Sequence, residues 1–180
     1  MKRQTTDSAE YEHVTHTFGP VYDRDSRILI LGSMPSVKSR EQQFYYGHPQ
    51  NRFWKVLPAV LGEAQPDTIE GKRAFLLRNH VALWDVIASC DIIGSSDSSI
   101  KNVRENDMNV ILSAAAISTI FLNGGKAYEL FMKYCVRYVH GDSPALVKLP
   151  STSPANAAWS LERLIDTWRE AILGEGSINA

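Results

Sequence analysis

Short apolar runs recur along this chain and alternate with longer stretches in which apolar and polar residues follow a helical period. Four of the runs have the length and the nearly continuous apolar character of strands buried on both faces. Strands that alternate with helices favour an α/β fold with a parallel sheet. The four predicted strands are Ile28–Gly32, Val81–Val86, Ser118–Asn123 and Leu146–Leu149.

Five stretches have the apolar spacing of amphipathic helices. The first follows Pro49, runs through NRFWKVLPAVLG and ends near Gly62, with Pro58 as a residue that kinks or shortens it. The last carries Trp159, Trp168 and neighbouring aliphatic residues on one side. The other four predicted helices are Thr68–Asn79, Glu105–Ala115, Gly125–Tyr134 and Ala155–Leu173.

The length of 180 residues, 44% of them hydrophobic, suits one domain over 1–180, of which we expect about the first 12 residues to be flexible. No apolar run reaches the ~20 residues that a membrane span needs, and no apolar segment follows the charged start MKR. We therefore expect a cytoplasmic protein without a membrane anchor. Cys90 and Cys135 lack metal-ligand spacing, so no metal site is predicted.

Ligands of open α/β sheets bind outside the carboxyl ends of the strands, which directs attention to four loops. The first has about 18 residues where two to six are usual, and such long loops tend to be functional. The net charge of −1 says little about partners, although Lys38, Arg40, Arg52 and Lys55 concentrate positive charge in and beside this loop. The four loops are 32–51, 85–102, 123–125 and 150–156.

The first loop combines turn-forming residues with aromatic and neutral polar groups. Gly32 and Pro35 predict a sharp turn that leaves backbone amides and the Ser33 hydroxyl facing the crevice, and Tyr46 and His48 follow. An ordinary turn with surface tyrosines is the alternative. The loop alone does not decide between a functional crevice and an ordinary turn.

The fourth loop, LPSTSPANA, favours a helix start capped by Ser151, Thr152 or Ser153. A helix start with free amides and hydroxyls also suits a phosphate group, and both interpretations stay open. The chain lacks a GxGxxG fingerprint, a Walker P-loop and a GxSxG elbow, which weakens dinucleotide, NTP and serine hydrolase functions.

Three strings together, GSMPS, YYGHPQNRFWKVL and LPSTSPANA, resemble the uracil-DNA glycosylase superfamily over residues 27–171. With ALWDV and GSSDSSIKN, they are most similar to its hypoxanthine (deoxyinosine) branch. The resemblance implies a three-layer α/β/α sandwich on a four-stranded parallel sheet. It also implies a monomer that needs no cofactor, binds DNA containing a deaminated base, and hydrolyses the glycosidic bond of a flipped-out base.

The resemblance also assigns roles to residues. Tyr46 takes the position of the aromatic side chain that stacks on the base, and Asn51 that of the catalytic residue, whose carbonyl would orient water unless the residue only caps a helix. Many relatives carry an asparagine or aspartate where this chain has Met34. The implied catalytic residue is Asn51, and the implied substrate-binding residues are Tyr46, Gly32, Ser33, Met34, Pro35, His48, Ser151 and Ser153.

Four further polar residues, Asp85, Ser98, Asn102 and Asn123, would either contact the base edge or serve as turn and capping residues. The predicted function is removal of hypoxanthine from DNA. The alternatives are a uracil or mismatch-specific glycosylase, a non-catalytic nucleic-acid-binding module of the same fold, and a hydrolase of small nucleosides.

Overall fold

The structure is a computed structural model that describes residues 10–174. Its centre is a parallel sheet of strands β2 (Ile28–Gly32), β3 (Val81–Asp85), β6 (Thr119–Asn123) and β7 (Ala145–Leu149) in the order β3–β2–β6–β7. β2, β3 and β6 are buried at every position, as parallel strands covered on both faces must be. The prediction of four parallel strands is confirmed, with bounds that shift by one residue at most.

Helices flank this sheet and give the predicted α/β/α sandwich. The longest, α6, packs against both α2 and β7. Pro58 lies inside α2 without ending it, and the helix stops where predicted, at Gly62, whose φ of 70° is left-handed. The helices are α1 (Val37–Gln42), α2 (Phe53–Leu61), α3 (Ile69–Arg78), α4 (Asn109–Leu112), α5 (Gly125–Tyr134) and α6 (Leu161–Leu173).

A second, antiparallel sheet was not predicted. It consists of β1 (Glu12–Thr15), β4 (Ile87–Ile92) and β5 (Lys101–Glu105) in the order β1–β4–β5. Its strands carry many exposed polar residues, and β1 pairs with a strand more than 70 residues away in sequence. We expected about the first 12 residues to be flexible, and most of them lie outside the described residues. Glu12, the last of them, belongs to β1 and pairs with Ile92.

Two predicted helices have wrong starts. Glu105 belongs to β5 and pairs with Ile87, so only Asn109–Leu112 of the helix predicted at 105–115 forms, after a turn in which Asp107 accepts a hydrogen bond from the Asn109 amide. The last helix begins at Leu161 rather than Ala155, because Ser160 supplies its N-cap. The segment 150–160 is instead an irregular loop.

A short helix, α1, interrupts the long first loop, and the side chain of Ser36 caps it. Within the described residues 10–174, no helix has the length and apolar character needed to cross a membrane.

Candidate active site

A cavity of about 530 Å³ opens at the carboxyl ends of the parallel strands. This is the place that the rule for open α/β sheets predicts, and the volume lies within the range of small-ligand sites. β2 contributes Gly32, β3 contributes Asp85 and β6 contributes Asn123. All nine residues to which the resemblance assigns a catalytic or substrate-binding role line it: Gly32, Ser33, Met34, Pro35, Tyr46, His48, Asn51, Ser151 and Ser153.

Tyr46 provides an aromatic surface in the cavity. Its ring lies nearly parallel to that of Phe53, with 4.0 Å between centroids and 13° between planes. Its φ of 54° is left-handed, a conformation that non-glycine residues adopt at a cost and that is often found at functional sites. Burial and then the charge of Asp85 raise the pKa of the phenol, so Tyr46 remains a neutral hydrogen-bonding group.

Asn51 uses its carbonyl within the protein. Oδ1 accepts from the backbone amide of Phe53, the first residue of α2, at 3.0 Å, and from the Thr152 hydroxyl at 2.9 Å, while the N-cap position itself is Arg52. A carbonyl oxygen has two lone pairs, so both are engaged. Nδ2 has no hydrogen-bond partner within residues 10–174. The expected orientation of water by the Asn51 carbonyl does not fit these contacts, whereas donation from its NH₂ group does.

Thr152 connects Asn51 to the aromatic surface. Its side chain is fully buried, and its hydroxyl accepts from Asn123 Nδ2 at 3.0 Å while donating to Asn51. Asn123 Nδ2 also donates to the Tyr46 hydroxyl at 3.1 Å, and Asn123 Oδ1 accepts from the Thr152 amide. One polar network therefore fixes both Tyr46 and Asn51. The sequence had suggested Thr152 only as a helix cap.

Arg52 holds the loop 150–160 against α2. Its guanidinium donates to the carbonyl oxygens of Ser153 at 3.0 Å and Asn156 at 3.1 Å, and also to those of Thr152 and Trp159. Arg52 is one of the basic residues that the sequence concentrates in and beside the first loop. Because its donors are committed to carbonyls, it stabilises the site from within and is not free to bind phosphate.

Asp85 and His16 form a buried pair at the cavity. His16 Nε2 lies 2.8 Å from Asp85 Oδ2, and the two side chains are 2% and 5% exposed. Gly32 makes room for the carboxylate, since a Cβ atom there would lie 2.5 Å from Asp85 Oδ1 and 3.1 Å from the Tyr46 hydroxyl. His16 was not predicted as a site residue, because it directly follows β1, a strand of the antiparallel sheet that was not predicted.

The profile of the uracil DNA glycosylase superfamily matches residues 20–172. This chain belongs to that superfamily. A hypoxanthine DNA glycosylase of Methanosarcina acetivorans is 36% identical over 150 residues, covering 81% of this chain and 90% of the relative. One from Methanosarcina barkeri is 36% identical over 114 residues, 62% of this chain and 72% of the relative.

The fold is shared as well. A solution NMR structure of a candidate uracil DNA glycosylase from Methanosarcina acetivorans superposes with a TM-score of 0.73 at 35% identity, covering 87% of this chain and 94% of that one. The four parallel strands and their helices are thus those of a uracil DNA glycosylase superfamily member, and the cavity belongs to a DNA glycosylase.

Several predicted site residues of this superfamily member make local contacts. His48 Nδ1 accepts from the Gln50 amide at 3.1 Å. Ser151 Oγ accepts from the Ser153 amide at 3.1 Å, and Ser153 Oγ from that of Ala155 at 3.2 Å, so these hydroxyls form loop turns rather than a helix cap. Ser33 Oγ donates to Asp97 at 3.4 Å.

Of the four further polar residues, Asp85, Ser98 and Asn123 line the cavity. Asn102 lies outside it and donates to Asp91 at 2.7 Å. Among residues 10–174, no cluster of three or more His, Cys, Asp or Glu side chains is arranged to hold a metal ion.

Proposed function

We propose that this DNA glycosylase hydrolyses the N-glycosidic bond of deoxyinosine in DNA and releases hypoxanthine. The observation that supports it most is the joint placement of Tyr46 and Asn51 in one cavity by a shared hydrogen-bond network. Relatives at 36% identity that are named hypoxanthine DNA glycosylases support the choice of base. We also propose that the protein acts as a monomer, as its resemblance to the superfamily implies.

In the proposed reaction, a base rotated out of the duplex lies flat on the Tyr46 ring, whose other partner is Phe53. As the bond between the sugar carbon and the base breaks, the base gains negative charge. The NH₂ group of Asn51 would donate hydrogen bonds to the base and so lower the barrier. Water adds to the sugar carbon, and the proton that it loses goes to the departing base. Met34 offers no hydrogen bond to water where many relatives carry a polar residue, so stabilising the departing base is the main contribution of this site.

The choice of base has a direct test. Oligonucleotides with a single inosine, uracil or xanthine are incubated with the protein and then cleaved with alkali at abasic sites. We expect the inosine strand to be cleaved fastest under single-turnover conditions. Release of uracil at an equal or greater rate would contradict the proposed substrate.

The role of Tyr46 predicts different outcomes for two substitutions. Tyr46→Leu removes the aromatic surface and should weaken substrate binding about 10- to 100-fold, since stacking of a base on an aromatic side chain contributes ~1–3 kcal/mol. Tyr46→Phe keeps the ring and loses only the hydroxyl that accepts from Asn123, so it should bind the inosine strand nearly as well as the wild type. Dissociation constants for inosine DNA check both, and similar affinities for the two variants would exclude stacking.

Uracil is the second candidate substrate, because the matching structure is described as a candidate uracil DNA glycosylase. The panel of bases separates it from hypoxanthine. A non-catalytic module of the same fold is favoured only by Met34. That alternative predicts binding to inosine DNA without release of the base in a single turnover.

A further inference from the structure

Residues at the cavity wall and directly behind it follow the order of the strands. Asp85 ends β3, Gly32 ends β2, Asn123 ends β6, and Thr152 follows β7. Neighbouring strands lie about 4.8 Å apart, so the two outer strands are separated by roughly 14 Å. Asp85 therefore lies at one end of this line, and Thr152 with its partner Asn51 lies at the other.

The aromatic surface lies between these two ends. The Tyr46 hydroxyl is 3.1 Å from Asn123 Nδ2, and it would be equally far from a Cβ atom on Gly32. A purine resting on Tyr46 with its glycosidic bond toward Asn51 turns its opposite edge toward Asp85. In a purine, that opposite edge carries N1, the ring atom that is protonated in hypoxanthine and has a lone pair in adenine.

We propose that Asp85, positioned by His16, is the residue that reads this edge and accepts a hydrogen bond from the N1–H of hypoxanthine. This inference rests on the proposed function and adds a determinant of specificity to it. A carboxylate only accepts hydrogen bonds, so it pairs with the N1–H of hypoxanthine and repels the N1 lone pair of adenine. The protein thereby distinguishes the deaminated base from its parent.

His16 leaves one carboxylate oxygen for the base. Its Nε2 is bonded to Oδ2, while Oδ1 is the oxygen that closely approaches Gly32 at the cavity wall. Aromatic neighbours fix the imidazole, with ring centroids 4.5 Å from Phe18 and 5.9 Å from Tyr45. A buried carboxylate needs such a partner, because an isolated buried charge is costly.

One ring nitrogen of the His16–Asp85 pair makes no hydrogen bond to the described part of the chain. Nδ1 of His16 is the one buried side-chain atom without a hydrogen-bond partner among the described residues. Within residues 10–174, the one hydrogen bond of this imidazole is therefore the contact with Asp85, which fits a side chain that holds the carboxylate.

The test compares Asp85→Asn with the wild type in two measurements. Single-turnover release of hypoxanthine should fall about 10- to 100-fold, because a hydrogen bond to a charged acceptor is lost. Affinity for DNA with a tetrahydrofuran abasic site should not change, since no base is there to be read. Hypoxanthine release at the wild-type rate would overturn the proposal, and so would an equal loss of abasic-site affinity.

Asp91→Asn is the matched control. Asp91 also pairs with a histidine, His13, at 2.7 Å, and it lies outside the cavity on the antiparallel sheet. We expect neither hypoxanthine release nor abasic-site affinity to change in this variant. A loss equal to that of Asp85→Asn would assign the effect to general disturbance of the second sheet and overturn the proposal.

Two substitutions of His16 test the pair without altering the carboxylate, in case Asp85→Asn does not fold. His16→Gln keeps a donor for Oδ2 and should release hypoxanthine within a few-fold of the wild type. His16→Phe removes the donor and should lose at least tenfold. Equal rates for the two would overturn the positioning role. If the wild-type protein itself releases no hypoxanthine, the proposed function fails before any variant is made.

Discussion

Asn51→Ala is expected to lower the single-turnover rate of hypoxanthine release at least ~100-fold, the effect typical of removing one donor that stabilises developing charge. Among residues 10–174, the variant loses the one cavity-lining NH₂ group without a hydrogen-bond partner, which lies beside the network of Thr152 and Asn123. It also loses the acceptor of the Phe53 amide at the start of α2, which costs about 1 kcal/mol. Thermal unfolding measured in parallel separates these two losses.

Asn51→Asp is the matched control. Aspartate retains an oxygen for the Phe53 amide and the Thr152 hydroxyl, so both of these hydrogen bonds survive, whereas the NH₂ group is replaced by a second acceptor. We expect a stability close to that of the wild type and a rate as low as that of Asn51→Ala. A rate at or above that of the wild type would show that an acceptor for water is needed there, and the donor role would be wrong.

The parallel sheet could be predicted because its signal is local. A strand buried on both faces must be apolar at nearly every position, as 28–31 and 120–122 are. The strand order was not needed to find the cavity, because the ends of parallel strands face the same side of the sheet. The candidate site therefore followed from four apolar runs and the loops after them.

The antiparallel sheet could not be predicted in the same way. β5 is largely exposed and carries charged residues, and only its pairing with β4 makes it a strand. Such pairing depends on partners rather than on the sequence of the strand itself. The missed sheet had a consequence for the site, because His16 follows β1, and without that strand nothing connects it with Asp85.

Some roles within the site could be predicted from the sequence, whereas others depend on contacts that only the structure gives. The positions of Tyr46 and Asn51 came from the resemblance to a family, and both line the cavity. Thr152 and Arg52 lie within the motifs that carry this resemblance, yet each has a partner about a hundred residues away in sequence. A hydroxyl or guanidinium can satisfy its donors in many ways, and only the packed structure selects one.

Arg52→Met is expected to destabilise the protein by about 2–4 kcal/mol, since up to four carbonyl hydrogen bonds of roughly 1 kcal/mol each are lost. The melting temperature should fall by about 5–15 °C, which thermal unfolding measures. Methionine has a similar length and keeps the apolar contacts of the side chain. The effect therefore reports the loss of the donors.

Arg163→Met is the control for this change, because the exposed side chain of Arg163 contacts the same loop through the face of Trp159, 3.8 Å from the ring centroid. Its backbone amide, which donates to Ser160 Oγ, is unchanged by the substitution. Arg163→Met should lower the free energy of unfolding by no more than about 1 kcal/mol.

Arg52→Met should also slow base release at temperatures well below its unfolding temperature. The loop that Arg52 holds carries Thr152, and a displacement of about 1 Å near reacting groups can lower a rate 100-fold. A stable Arg52→Met variant with the wild-type rate would show that the loop keeps its position without the guanidinium, and that the network of Thr152 with Asn51 and Asn123 is sufficient to order the site.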